Sequence, residues 1–250
     1  MAGFDKYESI LKLFSRAQSM WTVAEMAEVL DLSTSTAYRL VRELTQAGFV
    51  EATVDSRYRL GPAFVEFDRI LRDTDPLVGQ GSPVLKGLVD VTPIPAAMVL
   101  CRLYGDQVMC VADERSPQFR AQTSYRRGQP MPITRGATSK AILAKLDGRR
   151  RTRLLKSCSQ NEDSDIDQLA ESLKQVRRSG YSVTRGEVDP GLAGIAAPIV
   201  NAQLGVLGSL SLVVDASALT AARESELVSL VVASAGRLTA SLDEAYAATH

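Results

Sequence analysis

Ser33-Thr34-Ser35-Thr36-Ala37-Tyr38-Arg39-Leu40-Val41-Arg42-Glu43-Leu44 is the stretch that decides the first domain. Ala37, Leu40, Val41 and Leu44 recur at the three and four spacing that puts them on one side of a helix, and Ser33 is a good amino-terminal cap. Subtracting that buried stripe leaves Ser33, Thr34, Ser35, Thr36, Tyr38, Arg39 and Arg42 facing outward. Hydroxyls and free backbone N–H groups at a helix start donate to phosphate oxygens, and an arginine fork contacts phosphate or guanine. Exposed groups of this kind serve no packing purpose, so the pattern points to a helix that enters the major groove of DNA.

Working upstream, a helix is expected from Asp5 to Gln18, with Ile10, Leu13, Phe14 and Ala17 on one face. A second runs from Thr22 to Leu30 around Val23, Met26, Ala27 and Leu30, and Gly48 ends the third. Downstream, Phe49 to Thr53 and Arg57 to Leu60 read as strands joined by the turn Val54-Asp55-Ser56. Three helices and a hairpin over residues 1–61 make a winged helix-turn-helix. Arg57 and Arg59 lie two apart on the second strand and share a face, where a wing meets backbone or minor groove. Within residues 1–60, seven Lys and Arg stand against eight Asp and Glu, a net of −1. DNA binding therefore rests on placement rather than bulk charge.

The 250-residue length and 45% hydrophobic content suit two compact domains. The formal net charge of zero gives no bulk attraction to nucleic acid. No apolar run reaches the roughly 18 to 20 residues of a membrane span, and Met1 to Gln18 lacks a signal-peptide core. A cytoplasmic protein with no membrane partner is expected. Cys101, Cys110 and Cys158 have no metal-ligand spacing and read as reduced, buried thiols. The single histidine, His250, is terminal, which excludes histidine-based catalysis and histidine-rich metal sites. No metal and no cofactor is expected.

Gly61-Pro62 punctuates the chain, and residues 62–74 hold a linking helix with Phe64, Phe67, Ile70 and Leu71 on one side. The Asp-, Pro- and Gly-rich segment Asp73 to Pro83 marks the boundary of a second domain, residues 75–250. There, helices are expected at Val84 to Val91, Thr138 to Leu146, Asp165 to Ser179 and Ala221 to about Ala247. Strands are expected at Ala96 to Leu103, Gln107 to Ala112, Gly194 to Val200 and Val206 to Val214, giving an α+β fold. The arginines between Arg115 and Arg135 read as surface charges. So do Arg149-Arg150-Arg151 with Arg153, offset by Glu162, Asp163, Asp165 and Asp167.

Gly136, Ala137 and Thr138 open a helix whose first N–H groups are free to meet a carboxylate. On the strand Val206 to Val214, period two puts Ser209, Ser211 and Val213 on one face, where serines can fix a polar ligand group.

The order of these features resembles the IclR family of bacterial regulators, named for the isocitrate lyase regulator. Ser33 through Leu40 is similar to that family's recognition-helix start, and Tyr58-Arg59-Leu60-Gly61 to the end of its wing. Pro132-Ile133-Thr134, continuing to Ser139-Lys140-Ala141-Ile142-Leu143-Ala144, is similar to its effector-domain motif. Gly180-Tyr181, Gly186-Glu187 and Gly191 through Ala196-Ala197-Pro198 are similar to its last signature. The chain departs where the family often has His (Thr134) and Gly (Ser139). The resemblance implies a winged helix, a dimerising linker helix and a GAF-like effector-binding domain that commonly assembles as a dimer of dimers. It implies a transcription regulator with two partners: a double-stranded DNA operator and a small organic acid effector, an aromatic one among them, in control of a catabolic operon as repressor or activator. Positions matching the family's effector contacts are Arg120, Thr123, Met131, Ala137, Thr138, Leu192, Gly194, Ser211 and Val213. Two alternatives stand beside it. An enzyme-like distal domain could use Cys110 with Asp113, or Lys140, as nucleophile, but no histidine exists to act as base. The other is a dimerisation domain without a ligand.

Overall fold

The computed structural model describes residues 3–159 and 166–249, without the side chains of 157–159, 166 and 249. Of the residues singled out above, Glu162, Asp163, Asp165, His250 and the Cys158 side chain lie outside this description. The chain divides into two compact units, Met1–Thr74 and Asp75–His250.

The first unit contains helices α1 (Gly3–Leu13), α2 (Val23–Val29), α3 (Thr34–Gln46) and α4 (Ala63–Thr74). Its strands β1 (Trp21–Thr22), β2 (Val50–Ala52) and β3 (Arg57–Leu60) form an antiparallel sheet in the order β1-β3-β2. Ile10, Met26, Leu40, Val41 and Val50 form the core, each almost wholly buried. Local chemistry sets the helix starts. Thr22 and Glu25 form a reciprocal capping box at α2, and Ser33 Oγ accepts from the Thr36 N–H at 3.3 Å to open α3. Gly48, with φ +74°, supplies the left-handed residue just after α3.

Two expectations fail here. Helix α1 stops at Leu13 rather than Gln18, because the Leu13 carbonyl accepts from the Trp21 indole at 3.1 Å while Ser15 and Gln18 close a turn on each other. Strand β1 was not expected, since two residues carry no period; its pairing, Trp21 with Tyr58, is a tertiary event.

In the second unit, strands β4 (Ala96–Tyr104), β5 (Gln107–Arg115), β6 (Pro130–Met131), β7 (Ser182–Arg185), β8 (Leu192–Asn201) and β9 (Val206–Asp215) form one antiparallel sheet. The strand order is β6-β5-β4-β9-β8-β7. Helices α5 (Pro76–Val91) and α9 (Ala221–Thr249) cover one face, meeting Met98, Leu100, Ile195, Ile199, Leu210 and Leu212. Helix α6 (Ala137–Lys145) lies on the other face against β8 and β9, and α8 (Ile166–Ser179) packs on α6. Helix α7 (Gly148–Ser159) carries the arginine run, in which Arg150 pairs with Asp106.

Helix α5 starts at Pro76 rather than at the expected Val84, and it runs through Pro83. Pro83 forfeits one helical hydrogen bond, but burial of Leu77, Val78, Leu85 and Leu88 offsets it. Gly81 is there for closeness: a Cβ on it falls 2.2 Å from Leu100 Cδ1 on β4. A composition that suggests a linker is in fact that of a helix pressed onto a sheet.

Asp75 caps α5 through the Leu77 N–H at 2.9 Å. Its second oxygen takes Arg102 Nη1 at 2.6 Å and the Tyr104 hydroxyl at 3.1 Å, and Arg102 also reaches the Gly205 carbonyl at 3.3 Å. The side chains are only 7% and 15% exposed. Removing one partner leaves the other charge buried, so Asp75→Ala is expected to cost about 3–5 kcal/mol. A urea titration should show a lower midpoint, and Asp75→Asn, which keeps the cap, should lose less.

Candidate DNA interface and effector pocket

The outward face of α3 carries an open groove lined by Ser35, Tyr38, Arg39 and Arg42, with Thr45, Gln46 and Tyr58. Sequence reasoning missed the last three. Gln46 follows Arg42 by one turn and Arg39 by two, so helical spacing alone could have found it; Tyr58 needed the wing's docking. At the amino end, Ser33 Oγ lies 2.7 Å from Thr36 Oγ1 and 3.2 Å from Ser35 Oγ, so these hydroxyls are tied to one another, while Thr34 is exposed.

Three of the four arginines meet glutamates. Arg39 Nη1 donates to both Glu43 oxygens, at 3.1 and 3.4 Å, Arg59 Nε donates to Glu51 at 2.5 Å, and Arg57 lies 3.9 Å from Glu25. Glu43 also accepts from the Tyr7 hydroxyl on α1. That hydrogen bond, followed by the Arg39 contacts, holds the Glu43 carboxyl below the usual carboxylate range, and Glu43 in turn raises the Tyr7 phenol. Exposed pairs of this kind add little stability. What they do is orient a guanidinium. Among the described residues, Arg42 makes no ion pair or hydrogen bond and is felt only through its charge near Glu43.

In the second unit, α6 sits close on the sheet because its contact surfaces are small: Ala137 and Ala141 meet Ala196, and a Cβ on Gly194 falls 3.4 Å from Ala137 Cβ. Gly136 precedes the helix with φ +85°, and a Cβ there meets Val188 Cγ2 at 2.6 Å and the Tyr125 hydroxyl at 2.9 Å. Only glycine fits.

The first N–H groups of α6 are not all free, which corrects the expectation from sequence. Gly136 N donates to Glu187 Oε2 at 2.9 Å and Ala137 N to Thr184 Oγ1 at 3.0 Å, and Lys140 Nζ holds the other Glu187 oxygen at 2.7 Å. Partners 47 and 51 residues along the chain are invisible to local reasoning. Thr138 Oγ1 and Ser211 Oγ lie 3.0 Å apart, and the Tyr125 phenol bonds to Thr138. Burial pushes that phenol far above its ordinary value, a rise that the Thr138 hydrogen bond partly opposes. Thr123 anchors Asp189 at 2.8 Å, and Ser124 adds its N–H at 2.9 Å and its hydroxyl at 2.6 Å.

Beside these groups lies a half-open cavity of about 20 Å³ lined by Tyr125, Thr184, Glu187, Asp189, Gly194 and Val213, with Leu192 next to them. Of the residues expected to meet an effector, Leu192, Gly194 and Val213 line it; Thr138 and Ser211 bond each other, Thr123 holds Asp189, and Ala137 opens the helix above. Met131 is buried in the core on the same side of the sheet, whereas Arg120 is exposed and does not line the cavity. Tyr125, Thr184, Glu187 and Asp189 were missed as site residues.

Two arginines expected on the surface are structural: Arg115 pairs with Asp113 at 3.6 Å and donates to the Tyr125 carbonyl, and Arg127 binds Asp113 through its N–H and Val111 through its side chain. Cys101 and Cys110 face each other across β4 and β5 as buried free thiols, and burial followed by the neighbouring Cys110 raises the Cys101 thiol. No cluster of three or more His, Cys, Asp or Glu among the described residues could hold a metal ion, and no described helix is long and apolar enough to cross a membrane.

A winged helix-turn-helix with a groove-facing recognition helix, followed by an α+β sensor unit, defines a one-chain DNA-binding transcription regulator. Residues 76–240 match the C-terminal domain of the bacterial transcriptional regulator IclR, and residues 5–53 match the IclR helix-turn-helix domain, so the chain belongs to the IclR family. The HTH-type transcriptional regulator KipR of Bacillus subtilis is 25% identical over 83% of both chains. A crystal structure of a regulator from Alicyclobacillus acidocaldarius is similar at TM-score 0.79 and 26% identity, covering 96% of this chain and 98% of that one. A homologue from Microbacterium hydrocarbonoxydans, solved with 4-hydroxybenzoate, has TM-score 0.79 at 19% identity, covering 96% and 99%. Family members are regulators, not enzymes.

Two outcomes follow from this geometry. Arg42→Ala is expected to weaken DNA binding and to reduce the slope of log affinity against log salt by about 1, measured by fluorescence anisotropy across salt concentrations. At high pH the unfolded chain releases the Tyr125 proton while the folded chain keeps it, so stability is intact below the ordinary phenol value of 10.0 and falls above it. Urea midpoints across the alkaline range should fall less steeply in Tyr125→Phe, leaving the contributions of the other raised groups, Cys101, Tyr7 and Tyr104.

Proposed function

We propose that the chain is an effector-responsive regulator of a catabolic operon, acting in the cytoplasm, and that its second unit senses a small organic acid, with aromatic acids in the class. The observation that supports this reading is the carboxylate at the start of α6: Glu187 accepts the Gly136 N–H, a place that favours an anion and that a ligand carboxylate takes when Glu187 moves off. Around it, the Ala137 N–H and the hydroxyls of Thr138, Ser211 and Thr123 are held by protein partners that a ligand would replace, and Leu192, Gly194 and Val213 supply apolar wall backed by the core that holds Met131. Arg120 joins the site only if the exposed segment that carries it folds inward. The 4-hydroxybenzoate bound by a protein of this fold supports an aromatic acid as ligand.

A cavity of about 20 Å³ has room for one water. An organic acid therefore needs the Gly186–Gly191 segment to move, and the positive φ of both glycines, +65° and +79°, gives that segment suitable hinges. In the first unit, Ser33, Thr34, Ser35, Thr36, Tyr38, Arg39 and Arg42 read an operator half-site while Arg57 and Arg59 of the wing contact its backbone. The exposed Phe64, Val65, Phe67, Ile70 and Leu71 of α4 support pairing of two chains, and a dimer of dimers would span two such operators.

A thermal-shift panel of benzoate, 4-hydroxybenzoate and short aliphatic mono- and dicarboxylates tests the reading. One chemical class should raise the melting temperature with concentration, and the same compounds should change operator affinity in a mobility-shift assay. Ser211→Ala and Thr138→Val should lose both effects. A panel with no thermal response would favour a dimerisation domain that takes no ligand.

A further inference from the structure

Arg39 and Arg42 are the same residue type on the same face of α3 and line the same groove, yet their surroundings differ. Arg39 Nη1 is held by both oxygens of Glu43, whereas Arg42 has no hydrogen bond or ion pair among the described residues. Glu43 is held in turn. The Tyr7 hydroxyl, on α1, donates to Glu43 Oε2, and the Tyr7 ring packs against the core beneath α1 and α3. Tyr7 does not line the groove.

We propose that Tyr7 is a positioning residue for base reading: through Glu43 it fixes the direction of Arg39, which discriminates one base, while the unpartnered Arg42 supplies a sequence-blind phosphate contact. The physical reason is the planar guanidinium fork. Its bidentate bonds to the guanine edge require a set orientation, whereas attraction to a phosphate tolerates many. With Nη1 tied to Glu43, the remaining donors on Nε and Nη2 are presented from a guanidinium that is already oriented. The carboxylate can hold it only if the carboxylate is itself fixed, and the phenol fixes it. Nothing else in the groove is braced from a second helix in this way among the described residues. The inference rests on the reading of this groove as the DNA interface.

The test uses the full chain and its preferred site selected from a random-sequence duplex library. Failure to recover any preferred site counts against the DNA interface itself and takes the inference with it. With a site in hand, affinities for each single-base change are measured for wild type, Arg39→Ala, Tyr7→Phe and the double variant. Arg39→Ala should level the preference at one base position. Tyr7→Phe, which keeps the ring and removes only the hydroxyl, should lower that same preference about fivefold while leaving affinity for unrelated duplex and the salt slope unchanged. The double variant should match Arg39→Ala alone, because the two act through one contact. Glu43→Gln reads the same coupling from the other side and should reproduce the Tyr7→Phe loss. The proposal is overturned if Tyr7→Phe keeps full discrimination at the Arg39 position, weakens all sequences alike, or adds to the effect of Arg39→Ala.

Discussion

Helix α6 can lie on β8 and β9 only because neither contact surface carries bulk. Ala137 and Ala141 face Gly194 and Ala196, and along β8 the alternation puts Ile195, Ala197 and Ile199 on the opposite side. The sheet is thus thick with aliphatic side chains where α5 and α9 cover it and thin where α6 does. That thinness places Thr138 within 3.0 Å of Ser211 and brings the helix start to Thr184. A larger side chain at Gly194 or Ala196 would push α6 away and separate these groups, so the polar site is a consequence of packing geometry.

Both units handle charge by local pairing rather than by excess. The first sixty residues carry a net of −1, yet Arg39, Arg57 and Arg59 each find a glutamate that steers them. Near the small cavity, Glu187 and Asp189 have their oxygens engaged by Lys140, Gly136, Thr123 and Ser124. Each carboxylate closes a gap between segments distant in sequence. A field calculated from composition would miss all of this, because the useful quantity is where each charge is held.

The parts that were legible in the sequence are those set by neighbours along the chain. Helix α3 follows from the Ser33 cap and the stripe Ala37, Leu40, Val41 and Leu44, and the β8 and β9 strands follow from apolar runs flanking Asn201 to Gly205. What was illegible depends on partners far away. The two-residue β1 exists only because Arg57 and Tyr58 pair with it, and α5 through Pro83 exists only because Leu100 leaves room beside Gly81. The same limit applies to the site. Thr138 and Ser211 could be proposed from helix and strand period, but Thr184 and Glu187 as partners of α6, and Tyr125 as the phenol over Gly136, needed the folded chain.

Helix α4 ends at Thr74 and α5 begins at Pro76, so a single residue, Asp75, joins the two units along the chain. Helix ends ordinarily fray, and a tug on one is absorbed as slack. Here the joining residue is bolted by Arg102 and Tyr104 to the end of β4, and Arg102 reaches on to Gly205 in the turn between β8 and β9. The first turn of α5 is therefore clamped to the middle of its own unit's sheet, where a free helix end would fray.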